Sequence, residues 1–352
     1  MKSAIKYLAG FLLAGFLLWW MLRDKDLGAI WEQIQQASFA GLAFAALLNI
    51  LHAIPRAWRW GSLLKPVRSG IPMRPMVSAI MIGYMMTWVV PGRVGEVVRP
   101  ALLSSRERVP LGPCLGSILA DRLLDGITVL VLFAVALVVQ PLDQGEAGDR
   151  IRQGAFILLG LVGFGLGVLL FAAQFRRPLE VWLARRNKLI AWCGRTILRF
   201  SEGVEALRRP RLLLEVVFQS AVVWIVICIA TWIGLRSCGV EISFWGVLAL
   251  MPLLALGIAV PTPGNAGGYS FVMELGLSEM FKVPGDLAAT AGLLLWIMVV
   301  VPPILLGVLI LAVEGVSWSD LMRAAREVKN LGSAEEQASQ ASTPATAEAP
   351  AE

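Results

Sequence analysis

The sequence predicts an all-α polytopic membrane protein with six full spans and two oppositely oriented re-entrant hairpins in an inverted-topology repeat. The first observation is composition: 57% of the 352 residues are hydrophobic and only 16% charged, against about 25% charged in an ordinary soluble domain. The second is the row of uncharged runs at 7–22, 39–55, 75–92, 126–142, 153–175, 212–235, 242–273 and 287–313, each long enough to be a span or part of one. The third is the sign of the charge between them, which fits one path through a bilayer.

The first run, "YLAGFLLAGFLLWWML", is a retained span: Trp19 and Trp20 stand where a signal peptide needs small residues, and Arg23 follows. Segment 23–38, with two basic and three acidic residues, faces outward. Segment 55–75 carries Arg56, Arg59, Lys65, Arg68 and Arg74 without an acid, so it faces inward. Simple alternation then fails. If 75–92 crossed fully, the acidic loop 140–149 would be cytoplasmic and the loop 176–211, with ten basic and three acidic residues, would be external. The conflict disappears if 75–104 is a hairpin that enters from the cytoplasm and breaks at Pro91, Gly92 and Gly95. The run 113–139 then leads outward, 153–175 inward and 212–235 outward. A second hairpin, 244–281, enters from outside and is broken by Pro261, Pro263, Gly264, Gly267 and Gly268. The run 287–313 returns inward, placing both termini in the cytoplasm of a cell whose inner membrane holds the chain.

Each hairpin carries Pro-Gly-x-(Val/Ala)-Gly, "PGRVG" at 91–95 and "PGNAG" at 263–267. Residues 1–140 therefore form a first membrane repeat and 141–315 an inverted second one. Residues 316–352 are a cytoplasmic segment ending in a disordered tail of Ala, Ser, Glu, Thr and Pro. Broken helices meeting between inverted repeats are the setting in which secondary transporters bind substrate.

Charges inside this frame are the candidate site. Arg93, Glu96 and Arg99, spaced by three, fall on one side of a helix starting near Gly92. Its free N–H groups and dipole suit a phosphate, which two guanidinium forks can grip while Glu96 holds one of them or a coupling proton. Pro100 is expected to end or kink that helix at once. The bland reading is a structural Arg-Glu-Arg cluster anchoring the hairpin. Asp121, Arg122 and Asp125, within one turn of each other, either compensate the hairpin's charges or touch substrate. Arg59 is a further candidate contact, although Arg56 and Arg59 read more readily as topology and headgroup anchors. Trp19, Trp20, Trp58, Trp60 and Trp88 read as interface belt residues. The four cysteines and single His52 show no metal, redox or cofactor spacing. The net charge of +6 is a topology signal and gives no reason to expect nucleic acid.

"PRAWRWGSLLKP" (55–66), "MIGYMMTWVVPGRVGEVVRPALL" (81–103), "ADRLLDGITVL" (120–130) and "PTPGNAGGYS" (261–270) resemble, in order, the signatures of the lysylphosphatidylglycerol synthase transmembrane region, or flippase-like domain family. Thr87 stands where that family commonly has Asn, Asp121 where a Glu often precedes the Arg, and Ser270 where many members carry Glu or His, with Glu274 four residues on. Members that make lysyl-lipid carry a soluble transferase domain, for which the segment after the last run leaves no room. The resemblance therefore implies a lipid translocase for an anionic phospholipid or polyprenyl-phosphate-type lipid, and not an enzyme. The alternatives are a membrane-embedded transferase on a lipid-linked substrate and a non-transporting subunit of an envelope-lipid pathway. Expected partners are the bilayer, its lipid substrate, and a second copy of the chain or an envelope-lipid biosynthetic protein.

Overall fold

A computed structural model describes residues 2–90, 93–139, 210–259 and 262–323, with isolated positions between 153 and 182. The expected outer loop 140–149, most of the span 153–175 and of the basic loop 176–211, the tail, and Pro91, Gly92 and Pro261 lie outside the described residues. The helices are α1 (Lys2–Leu22), α2 (Leu27–Gln36), α3 (Phe39–Leu51), α4 (Ala53–Leu64), α5 (Met73–Val89), α6 (Gly95–Glu107), α7 (Leu111–Val139), α8 (Pro210–Ser237), α9 (Phe244–Ala259), α10 (Gly268–Phe281) and α11 (Gly285–Glu314). No strand occurs among the described residues. Four helical stretches, Phe39–Leu64, Leu111–Val139, Arg211–Ser237 and Gly285–Glu314, are long and apolar enough to cross a membrane. Leu12–Leu22 and Phe244–Ile258 are shorter apolar helices. Val138, Leu256, Leu305 and Val313 stand exposed on the outside of the bundle, which suits a surface solvated by lipid.

The first of these stretches joins α3 to α4 with a one-residue interruption of the helix at His52. Pro55 explains it: the residue has no N–H, and its ring crowds the carbonyl of Leu51 one turn earlier. The His52 Nδ1–H donates to the Asn49 carbonyl, which leaves Nε2 to accept from the Tyr84 hydroxyl at 3.1 Å. Residues 55–64, expected as the start of a cytoplasmic segment, are therefore helix that continues the apolar stretch of α3. Their basic residues turn inward.

Helices α5 and α6 pack antiparallel. Gly83 faces Gly95 and Arg99, and Ser78 meets Arg106 at 2.9 Å nearer the open end. A Cβ on Gly95 would lie 1.8 Å from the Gly83 carbonyl oxygen, so Gly95 permits backbone contact rather than a break. The turn falls instead on Arg93, whose φ of 54° is left-handed. Helix α6 thus starts at Gly95 and not near Gly92, and it runs through Pro100 to Glu107.

Helices α9 and α10 form a second antiparallel pair, with Gly257 against Gly268 and Gly276 against Leu250. Their turn contains a 3-10 turn, Pro263–Asn265, and uses φ of 60° at Gly264, 50° at Asn265 and 83° at Gly267. Glycine is needed at Gly267 for space as well, because a Cβ there would sit 2.8 Å from the Ala14 carbonyl oxygen of α1. The two tips touch. Arg93 Nη2 donates to the Ile258 carbonyl at 2.8 Å, Asn265 Nδ2 donates to the same oxygen at 3.1 Å, and Trp296 Nε1 of α11 donates to the Gly264 carbonyl at 2.8 Å.

Candidate functional site

Beside the first hairpin, α4, α6, α7 and α8 enclose a cluster of five charges. Arg56 and Arg59, three apart on α4, face Asp121 and Asp125, four apart on α7. Arg59 donates from Nε to Asp121 at 2.9 Å, from Nη2 to Asp125 at 2.7 Å and from Nη1 to the Ser220 hydroxyl at 3.0 Å. Arg56 donates from Nη1 to Asp125 at 2.8 Å and to Asp121 at 3.4 Å. Trp224 Nε1 donates to Asp125 at 3.1 Å. All five charged residues are buried: Arg59 and Asp121 are 0% exposed, Arg99 3%, Arg56 4% and Asp125 7%. Buried charges are tolerated only when paired and hydrogen-bonded, and here three cations share two anions.

The surplus falls on Arg99. Its Nη1 reaches Asp121 at 3.2 Å, and its guanidinium lies 4.2 Å over the Trp60 ring. Its Nε and Nη2, the two donors of one guanidinium edge, are buried and have no hydrogen-bond partner among the described residues. Arg56 Nε likewise has no partner among them. Trp60 is fixed by donating from Nε1 to the Ser117 hydroxyl at 2.8 Å, which itself donates to the Cys114 carbonyl at 2.7 Å. Two adjacent donors left unpartnered on a buried cation match in geometry an anion with two neighbouring oxygens.

A second, more exposed tier borders the cluster. Glu96 lies 3.4 Å from Arg122 and 3.6 Å from Arg93, and Arg122 lies 3.6 Å from Asp125. The side chains of Arg93, Glu96 and Arg122 are 44%, 30% and 41% exposed. The structure therefore separates residues that the spacing grouped. Arg93 precedes α6 in a left-handed conformation and points to the second hairpin, so it cannot share a helix face with Glu96 and Arg99. Arg99 alone turns to the interior.

Arg56 and Arg59 are not headgroup anchors, since both are sealed inside the bundle. Trp60 is 0% exposed and so is no belt residue, whereas Trp58, two positions earlier and on the other face, is 42% exposed. Trp19 and Trp20 are exposed beneath the Arg23 guanidinium, as an interface pair would be. Tyr84, Ser220 and Trp224 escaped the sequence reading; the available signal was the need of intramembrane charges for polar partners on neighbouring spans. Glu274 pairs with Lys25 at 2.9 Å, and the buried Ser270 hydroxyl has no hydrogen-bond partner among the described residues. Among the described residues no three His, Cys, Asp or Glu side chains gather as a metal would need.

The family model described as the lysylphosphatidylglycerol synthase TM region matches residues 7–307. The chain belongs to that family. It is therefore an integral membrane protein of a lipid-related family, living in a bilayer. Among curated proteins it is similar to "Glycosyltransferase AglD" of Haloferax volcanii, 24% identical over 326 residues, covering 82% of this chain and 51% of the relative. The chain thus spans about half the length of the curated relative it matches.

Proposed function

We propose that the protein is a lipid translocase that moves an anionic phospholipid or a polyprenyl-phosphate-type lipid between leaflets of the cytoplasmic membrane, with both hairpins re-entrant and the chain termini cytoplasmic. The observation that carries this reading is Arg99, a buried surplus cation near the hairpin turn with one guanidinium edge unpartnered among the described residues. A phosphate bound there neutralises the cluster and satisfies both donors. Arg59, whose three nitrogens are all engaged, acts as scaffold together with Asp121 and Asp125. Arg93 and Arg122 are exposed and Glu96 half-buried near the turn; in a bilayer such charges require water, so they line a hydrated path to Arg99. Contact between the hairpin tips gives the element that must part for a headgroup to pass.

The test is leaflet redistribution of fluorescent lipids of several headgroups in liposomes holding the purified protein. Arg99→Ala should lower transport of the preferred anionic lipid at least tenfold while the protein stays monodisperse in detergent. Arg99→Lys should keep only part, because an ammonium retains charge but not the fork. Full transport in Arg99→Ala would sink the assignment. The similarity to a protein named as a glycosyltransferase favours a second reading, a transferase acting on a lipid-linked substrate. Mass spectrometry of the lipids recovered from the same liposomes separates the two: covalent change selects the transferase, and redistribution of unchanged lipid selects the translocase.

A further inference from the structure

A groove of about 500 Å³ lies between the start of α5 and the end of α11, reaching Ile54 in the first turn of α4. Met73 and Val77 form one apolar wall and Leu309 and Val313 the other. Leu309 is 58% and Val313 69% exposed, so the groove is open along the side of the bundle. Its depth follows from the packing. His52 meets Tyr84 across α4 and α5, and Ser78 meets Glu314 across α5 and α11, which puts Ile54 about level with Ile82. From Arg74 to that level is roughly 12 Å at about 1.5 Å per residue, close to the roughly 15 Å of hydrocarbon in one leaflet.

One end is polar, and its charges are unequal in what they have left to bind. Glu314 Oε2 accepts from the Ser78 hydroxyl at 2.8 Å and pairs with Arg106 at 2.7 Å, while Arg106 Nη1 donates to Ser78 at 2.9 Å. Arg74, one turn before Ser78 on the same face, is exposed and makes no hydrogen bond or ion pair with any described residue. A free cation thus stands at the mouth of an apolar slot of one leaflet's depth.

We propose that this groove is a second lipid site, separate from the Arg99 cluster, which holds an anionic phospholipid with one acyl chain along Val77 and Leu309 and its phosphate on Arg74. The apolar walls alone give no selectivity, because the bilayer solvates a chain equally well. Arg74 supplies it through charge complementarity at the headgroup level. One basic residue beside an anionic lipid corresponds to roughly a five- to tenfold preference over a zwitterionic one.

The experiment uses the full-length chain carrying Arg99→Ala, so that the cluster site cannot contribute and failure here leaves the translocase reading untouched. Delipidated protein is titrated with phosphatidylglycerol or phosphatidylcholine of matched chains, and retained lipid is counted by native mass spectrometry. Phosphatidylglycerol should be retained five- to tenfold better. Adding Arg74→Ala should equalise the two lipids, and Val313→Trp, which fills the groove from its exposed wall without entering the core, should lower retention of both. Equal retention before Arg74 is changed, or a preference that survives both changes, means annular lipid only and overturns the proposal.

Discussion

Three cations for two anions make Arg59 and Arg99 unequal, although both are buried arginines bonded to Asp121. Arg59 has every nitrogen engaged, so Arg59→Ala leaves Asp121 and Asp125 short of partners, which costs about 3–5 kcal/mol when a buried pair is broken. Arg99→Ala instead leaves two cations facing two anions and removes a single hydrogen bond, to Asp121 at 3.2 Å, and the contact with Trp60, the latter a loss of about 0.5–2 kcal/mol. Thermal unfolding in detergent should show the first variant strongly destabilised and the second only slightly. Equal destabilisation would make Arg99 a structural charge like its neighbours. At this scale Arg99, Asp121 and Asp125 were legible as charges drawn into the bundle, because charges inside apolar sequence announce themselves. Arg56 and Arg59 were misread for a physical reason: the positive-inside rule counts basic residues along the chain and takes no account of depth. With Pro55 interrupting the helical stretch rather than ending it, α4 carries both arginines into the bundle.

Among the elements, the first hairpin shows how closely two helices must approach to hold Arg99 in place. Gly95 meets backbone at 1.8 Å from its would-be Cβ, and neither the Gly83 carbonyl nor the α6 backbone can yield without separating the helices. A Cβ at Gly83 would meet Arg99 Cβ at 3.1 Å and the Gly95 carbonyl oxygen at 3.2 Å, which small shifts relieve. Overpacking costs about 1–3 kcal/mol, so Gly95→Ala should fall at or beyond the upper end and Gly83→Ala near the lower. Unfolding midpoints and lipid transport should follow the same order, and a harmless Gly95→Ala would contradict the tight packing of α5 on α6. The turn between the two helices was readable from the proline and glycine that separate two apolar stretches. Its start was not, because the left-handed turn falls on Arg93, a residue type whose propensity gives no warning of it.

Over the whole molecule, the described helices follow the same order in both halves: an interrupted or straight long span, a helix pair broken at a Pro-Gly motif, then another long span. Long spans were legible because length and apolarity are local properties. The contact of Arg93 with Ile258 was not, because pairing between distant segments leaves no local pattern in the sequence. What remains to be tested is the inversion, which the loop charges imply and which alternating access would use. If α5 and α6 enter and leave on one side while α9 and α10 do so on the other, cysteines at the ends of each pair must label accordingly. Exposed positions serve: Val67 before α5 and Ser105 in the last turn of α6, Glu241 before α9 and Glu279 in the last turn of α10. In a background with Cys114, Cys193, Cys228 and Cys238 replaced, Val67→Cys and Ser105→Cys should react with an impermeant maleimide only from the cytoplasm. Glu241→Cys and Glu279→Cys should react only from outside. Opposite sides for Val67 and Ser105 would make α5 a full crossing and remove the re-entrant hairpin. The same side for all four would keep both hairpins but abolish the inversion, leaving Arg99 as an anion site without the symmetry that alternating access requires.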